Sequence, residues 1–418
     1  EVDKIIPQSG TTLTVGDSGD TVTFTSGANL SVDGTIKLDG NYPTGTGNVA
    51  LGDTALDSVQ AGGNCNVAIG SYALTALTTA DDNTAVGHNA LCTNTTGCRN
   101  TAIGHNSMDV NTTGDFNTAL GRSSLSGNTT ANNNTAVGYH AMLTNSTGSN
   151  NTAVGYLSLD ANTTGSSNVA VGRGSLGANT TASKNVAIGD LSMVANTEGC
   201  FNVAIGESSL VTNTTGSRNT AVGRQSLYSN TTGGFNTAMG LDSMYENTTG
   251  SNNVAIGRSS MLCNTEGASN TAVGEHSLSR NTTANNNTAI GFCAMRCNTT
   301  GLQNVAMGSC ALTNNTEAHN NVAIGFCSSF TNTTGTLNVA MGSFTLEDNT
   351  TGSCNVALGY RTMCDNTEGG TNVAVGACSL SKNTTGNGNT ALGHIALCNN
   401  STGSCNIAVG KEALDSNT

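Results

Sequence analysis

The sequence predicts an all-β protein: a parallel β-solenoid (β-roll) of 17-residue coils behind a short β-structured N-terminal cap. Three observations carry this reading. First, the 17-residue unit at 83–99 recurs from Asn100, Asn117, Asn134 and Asn151, and the register holds from Asn66 to Asn406 over 20 intervals. Second, every unit opens with Asn, then Thr or Val (Ile407 once), then Ala, then an apolar residue, then Gly. Third, the ninth position is Leu or Met in every unit but one. A unit this short has no room for a stable helix beside a strand and its corners. It reads as one coil of short strands and turns, with neighbours stacked at about 4.8 Å.

In chain order, residues 1–47 form the N-terminal β cap or adaptor. The runs 12–15, 21–24, 30–32 and 35–38 alternate polar and apolar residues between Gly- and Asp-rich turns, as short strands do. Such a cap would cover the open end of a solenoid and its unpaired strand edge. Residues 41–47 read as a connector. The array occupies 48–418: an irregular 18-residue coil from Asn48 to Cys65, then 21 unit starts from Asn66 to Asn406.

Within the unit, the second and fourth positions share one face of a strand and the third takes the other. The fourth is always apolar, as in Val86, Ile103 and Leu120, so it is expected to face the core. The third is then expected to face outward. It is Ala in all 21 regular units, and an outward site held to one methyl points to close packing against another chain. Ala85, Ala102, Ala119, Ala136 and Ala153 are accordingly the expected oligomer contacts; the competing reading places this Ala inside a flattened turn. The ninth position, as in Leu74, Leu91 and Met108, is expected to mark a second core-facing strand. Its exception is Ser329, where Phe330 is expected to fill the gap through a local shift. The fifth-position Gly, present in every unit, implies positive φ or no space for a side chain. The fifteenth-position Gly gives way to Ala131, Ala182, Ala284 and Ala318, so positive φ is not demanded there.

Composition narrows the function. Charged residues are 10% of the chain, against roughly 25% in typical soluble proteins, and the net charge is −13. With 14 Lys and Arg scattered along the chain there is no basic patch, so nucleic acid is not an expected partner. No apolar run is long enough to insert in a membrane. The sparse charge and periodic apolar residues argue for order, not disorder. All six His residues (His88, His105, His140, His276, His319 and His394) sit at variable positions and share no recurring partner. A general base needs a positioned partner, so no catalytic residue is assigned and the chain is not expected to be an enzyme. The 14 Cys also fall at variable positions without zinc-type spacing, so neither a metal nor another cofactor is expected. Cys293, Cys310 and Cys327 lie on consecutive coils, close enough for a disulfide staple. Asn-Thr-Thr or Asn-Ser-Thr recurs at the second turn, as at Asn94, Asn111, Asn128, Asn145 and Asn162. Each is a possible N-glycosylation site, and the competing reading is a stacked amide ladder.

The Asn-Thr/Val-Ala-Val/Ile-Gly strand followed by Ser/Ala-Leu resembles the β-roll repeat in the heads of trimeric autotransporter adhesins. The longer unit with Asn-Thr-Thr-Gly, and the segment 9–22, resemble phage and large-virus tail-fibre proteins. Together the resemblances cover nearly the whole chain. They imply a homotrimeric, extracellular or virion-borne fibre, structural and adhesive, that reaches a cell surface and meets a glycan or protein receptor. The binding residues are not read from the sequence. Two alternatives stand beside it: a secreted, N-glycosylated filament or spacer, and an ice-binding solenoid.

Overall fold

A computed structural model describes residues 45–416. The chain divides into two units, Glu1–Asp39 and Gly40–Thr418. The cap strands expected before residue 45 lie outside the described residues.

The array is a parallel β-solenoid. One three-residue strand per coil, from β1 (Val49–Leu51) to β22 (Ile407–Val409), joins a single 22-stranded sheet. Consecutive coils pair in parallel and in register: Val67 lies opposite Thr84, Ala68 opposite Ala85 and Ile69 opposite Val86. The irregular first coil keeps this pairing, with Val49 opposite Val67. Its extra residue is absorbed in the turn before Gly63, whose carbonyl still receives the Asn48 Nδ2 at 2.8 Å.

The interior reverses the facing expected from residue size. Third-position Ala residues are fully buried, while the fourth-position residues beside them are partly exposed, as at Ile103 (37%) and Leu120 (45%). The reason is the narrow lumen. A Leu or Met at the ninth position enters it from the opposite arm and is fully buried in every coil except those of Ser329 and of Leu414 at the open end. The strand can then contribute only a methyl. A buried Ala, Ser or Thr at the eighth position completes the layer, as at Ala90, Ser107 and Thr345. Burying one such Leu stabilises by about 1.5–3 kcal/mol, repeated along most of the array.

No second strand forms at the ninth position; that arm is a pair of tight turns. In the first, the Ala90 N–H donates to Gly87 O (3.3 Å), and in the second the Asn94 N–H donates to Leu91 O (3.1 Å). Asn89 (φ 57°), Leu91 (φ 50°) and Arg99 (φ 58°) are left-handed, and their equivalents repeat along the array. Each such residue costs about 1–2 kcal/mol of backbone strain. The return is that successive amides point alternately up and down the stack. The Asn89 N–H reaches Ser71 O on the preceding coil (3.1 Å), and the Leu91 N–H reaches Ser107 O on the next (3.0 Å). Inter-coil hydrogen bonding therefore continues through corners where no strand exists. The fifth-position glycine closes the strand with φ near 134° at Gly87, and a Cβ there would sit 2.6 Å from Gly104 O. Both expected demands, backbone angle and space, hold at this position.

Two asparagine ladders line the interior. At the first position, the Asn100 N–H donates to Asn83 Oδ1 (2.9 Å), and the Asn100 Nδ2 to Gly114 O (2.8 Å). At the twelfth, the Asn111 Nδ2 donates to Asn94 Oδ1 (2.7 Å) and to Gly114 O (3.1 Å). Both amides thus converge on one fifteenth-position carbonyl per coil. Buried polar groups with every partner supplied cost the fold nothing and fix its register. At the N-terminal end, buried Val59 and Leu77 take the place of the twelfth-position Asn, and the second ladder begins at Asn94.

Two departures from the repeat have measurable structural effects. Where the fifteenth residue is Gly, the preceding amide bonds to the next coil, as from the Thr113 N–H to Thr129 O (3.3 Å). That bond is not formed at Thr130, Thr181 or Thr283, which precede Ala131, Ala182 and Ala284, and it is stretched to 3.4 Å at Glu317, before Ala318. Gly97 has no positive φ, so this glycine is kept for space alone. The second departure is Ser329. It is 4% exposed and keeps the register through its N–H to Thr345 O (2.8 Å). Phe330 stays half-buried at the tenth position and no shift occurs. The hydrophobic core instead breaks here: one cluster ends at Ala323 and the next begins at Ala340.

Candidate functional site

The main candidate surface is the outward face of the strands. It is built from the second and fourth positions, which the buried Ala turns toward the outside. The second is β-branched in every coil, and the fourth is Val, Ile, Leu or Met in every coil. No charged residue interrupts either row. Ile188 and Ile205 (both 38% exposed), Met239 (41%) and Ile256 (38%) mark its middle stretch. At about 4.8 Å per coil the stripe runs roughly 100 Å. Monomeric proteins rarely expose a contiguous apolar patch of more than a few hundred Å².

Charged side chains and aromatic rings flank the stripe and recur on the turn arm. At the seventeenth position, Lys184 lies 4.9 Å from the Phe201 ring centre and Arg218 lies 5.0 Å from that of Phe235. At the sixth, the Arg173 guanidinium holds Asp190 through Nε–Oδ1 (2.8 Å) and Nη2–Oδ2 (2.9 Å). This bidentate pair keeps the Asp190 carboxyl below the usual range. Arg258 and Glu275 pair similarly at 2.9 Å. Exposed pairs of this kind add little stability individually. An apolar centre with a polar rim is the anatomy of a protein interface.

The residues expected at the surface lie elsewhere. Ala85, Ala102, Ala119, Ala136 and Ala153 are fully buried within their own chain, so they touch no second chain. The reversal of facing puts their strand neighbours, at the second and fourth positions, on the outside instead. Asn94, Asn111, Asn128, Asn145 and Asn162 are also fully buried. Their Nδ2 atoms, where a glycan would attach, are committed to the ladder: Asn94 donates to Gly97 O (2.8 Å), and Asn162 donates to Asn145 Oδ1 (2.6 Å) and Gly165 O (2.9 Å). The folded coil leaves no place for a sugar there. The signal for the outward face was available, because both of its rows lack charge along the whole array.

The histidines serve local contacts. His88 stacks on His105 with ring centres 5.2 Å apart, His140 stacks on Tyr139, and His319 Nδ1 accepts the Leu302 N–H at 2.8 Å. Among the described residues, no group of three or more His, Cys, Asp or Glu is placed to hold a metal ion. All fourteen cysteines are free thiols, including Cys293, Cys310 and Cys327. Burial, together with the adjoining Asp365, pushes the Cys364 thiol up to about 11. Among the described residues no helix is long and apolar enough to cross a membrane.

The chain matches no protein-family model and no curated protein.

Proposed function

We propose that this chain is the shaft of an extracellular or virion-borne fibre, structural and adhesive, in which identical chains associate through their strand faces. The observation that carries the reading is the apolar stripe, continuous from Leu51 to Val409 and free of charge. A partner that covers it must itself repeat at the coil spacing, and another copy of the chain supplies that spacing. Three copies, with the strand faces turned toward a common axis, is the arrangement that the resemblance to adhesin heads implies. In a cyclic trimer each strand face meets two neighbouring copies through its two edges, so one kind of surface serves all three chains. The flanking rings and ion pairs would then form the rim, and the variable arm would remain outside for contact with a cell-surface receptor.

Sedimentation equilibrium tests the reading. The expected mass is three times the 41.9 kDa of one chain. Lys placed together at Ile188, Ile205 and Met239 is expected to return it to a monomer with unchanged β signal, while Lys at exposed Thr215 and Thr232 leaves the mass unchanged. A wild-type mass of one chain overturns the proposal.

One observation favours a second reading. The second position faces outward, so Thr and Val form a regular β-branched row, the kind of surface that an ice-binding solenoid uses. Thermal hysteresis from a monomeric wild-type protein, lost on Lys substitution at Thr220 and Thr237, would support it in place of the fibre.

A further inference from the structure

We propose that a notch in the coil 168–184 is a binding site for an N-acylated amino sugar. The notch is an open cleft of about 360 Å³, at the small end of the range of small-molecule sites. It exists because Gly174 and Gly177 fall in one coil, and they are the only glycines at the seventh and tenth positions of the array.

Neither glycine is required by the backbone. Gly174 has φ 62°, but Leu157 and Leu191, at the same position of the adjacent coils, are left-handed too, both at 53°. A Cβ on Gly174 would meet only the flexible tip of Leu191, at 3.1 Å. On Gly177 the nearest atoms would be Gly174 O at 3.2 Å and Asp160 Oδ1 at 3.4 Å. At the fifth position of the inner coils, by contrast, a glycine marks a place where a side chain collides with the next coil's backbone. Here the glycines instead remove side chains that the fold accommodates next door.

The lining selects the ligand class. Leu157, Leu191 and Val194 make an apolar floor that suits an acyl methyl. Asp160 borders the notch with Oδ1 beside Gly177 and can accept an amide N–H. Burial raises its carboxyl above the ordinary range, so a donor brought to it is worth more than on open surface. Tyr156, 52% exposed and stacked on Tyr139 at 5.5 Å, offers a fixed ring face for the apolar side of a pyranose. Arg173, also at the rim, is held in place by Asp190 and carries further donors for ring hydroxyls. A free amino sugar would lack the methyl, and a neutral hexose would lack both the methyl and the amide donor.

As a binding site the notch stands alone; as a point of attachment to a glycan-bearing surface it rests on the fibre reading above. The test is titration of the full chain with N-acetylglucosamine, followed by saturation-transfer NMR and calorimetry, with glucosamine and glucose as controls. Binding in the millimolar range is expected, about tenfold tighter than either control. Gly174→Leu and Gly177→Val, which install residues found in the adjacent coils, are expected to abolish it. Asp160→Asn is expected to weaken it about tenfold. Circular dichroism and native mass report folding and assembly separately for each variant. A monomeric mass with intact sugar binding removes the fibre reading and leaves the site. Absence of saturation in the wild type, or equal binding by a folded Gly174→Leu variant, overturns the site whatever the mass.

Discussion

The strand arm and the turn arm of each coil obey different rules. Along the strand arm, from the first position to the fifth, residue choice barely changes over the array. Along the turn arm the sixth, seventh, tenth and eleventh positions take almost any residue, although the backbone repeats there just as faithfully. Asn89, Leu157, Gly174, Cys310 and Phe344 occupy the same left-handed position. Constancy therefore does not follow from backbone geometry. It follows from what each side chain meets: the next coil's backbone, the lumen or the proposed second copy on one arm, and solvent on the other. Function that belongs to the whole array should reside on the strand arm, and function that belongs to one coil on the turn arm.

Substitutions sharpen this contrast. The largest effect is expected from Gly206→Ala, where φ is 134° and the new Cβ would lie 2.6 Å from Gly223 O. A loss of roughly 3–5 kcal/mol is expected, seen in denaturant as a single transition splitting in two, because the stack would be cut into independent segments. Asn230→Ala removes a Nδ2 bonded to Asn213 Oδ1 (2.8 Å) and Gly233 O (3.0 Å). It should cost about 1–3 kcal/mol, and Asn230→Leu less, since Leu77 is already accepted at that position. A shift in urea midpoint larger for Leu than for Ala would contradict this account of the ladder.

Ser329→Leu should stabilise by about 1–2 kcal/mol by rejoining the two core clusters, and the thermal midpoint is the measure. Cys364 supplies a pH test. Its thiol is raised in the folded chain, so its contribution is complete below the ordinary value of 9.0 and is lost as pH climbs toward about 11. An alkaline loss of about 1–2 kcal/mol is expected that Cys364→Ser abolishes. The smallest effect belongs to the turn arm: Gly177→Val, at a position without positive φ, should change stability by no more than about 0.5 kcal/mol. A severe loss there would erase the distinction between the arms.

Much of this was legible in the residues. The 17-residue period, the closing glycine and the stacked amides follow from the pattern at Asn83, Gly87 and Asn94. The facing of the strand was not. Alternation says that Thr84 and Val86 share a face and Ala85 takes the other, but not which face is inside. Size favoured Val86. What decides is the opposite arm: Leu91 already fills the lumen, leaving room only for a methyl. That arm reads as a strand in the sequence, because Leu and Met seldom adopt left-handed φ and nothing in their identity announces it. The notch was hidden for a related reason. A glycine required by its backbone and one that merely vacates space look the same until the neighbouring atoms are placed.

The inter-coil hydrogen bonds run along the stack, from Leu91 to Ser107 as from Thr84 to Asn100, and this sets how the chain bears tension. A pull applied end to end loads them head-on, one coil at a time. Each coil that yields frees 17 residues, or roughly 50–55 Å of extended chain beyond the coil's own thickness. The force–extension record should be a comb of evenly spaced teeth. The coil carrying Ser329, where the core is interrupted, should give way first, so the array behaves as a spring with a built-in fuse.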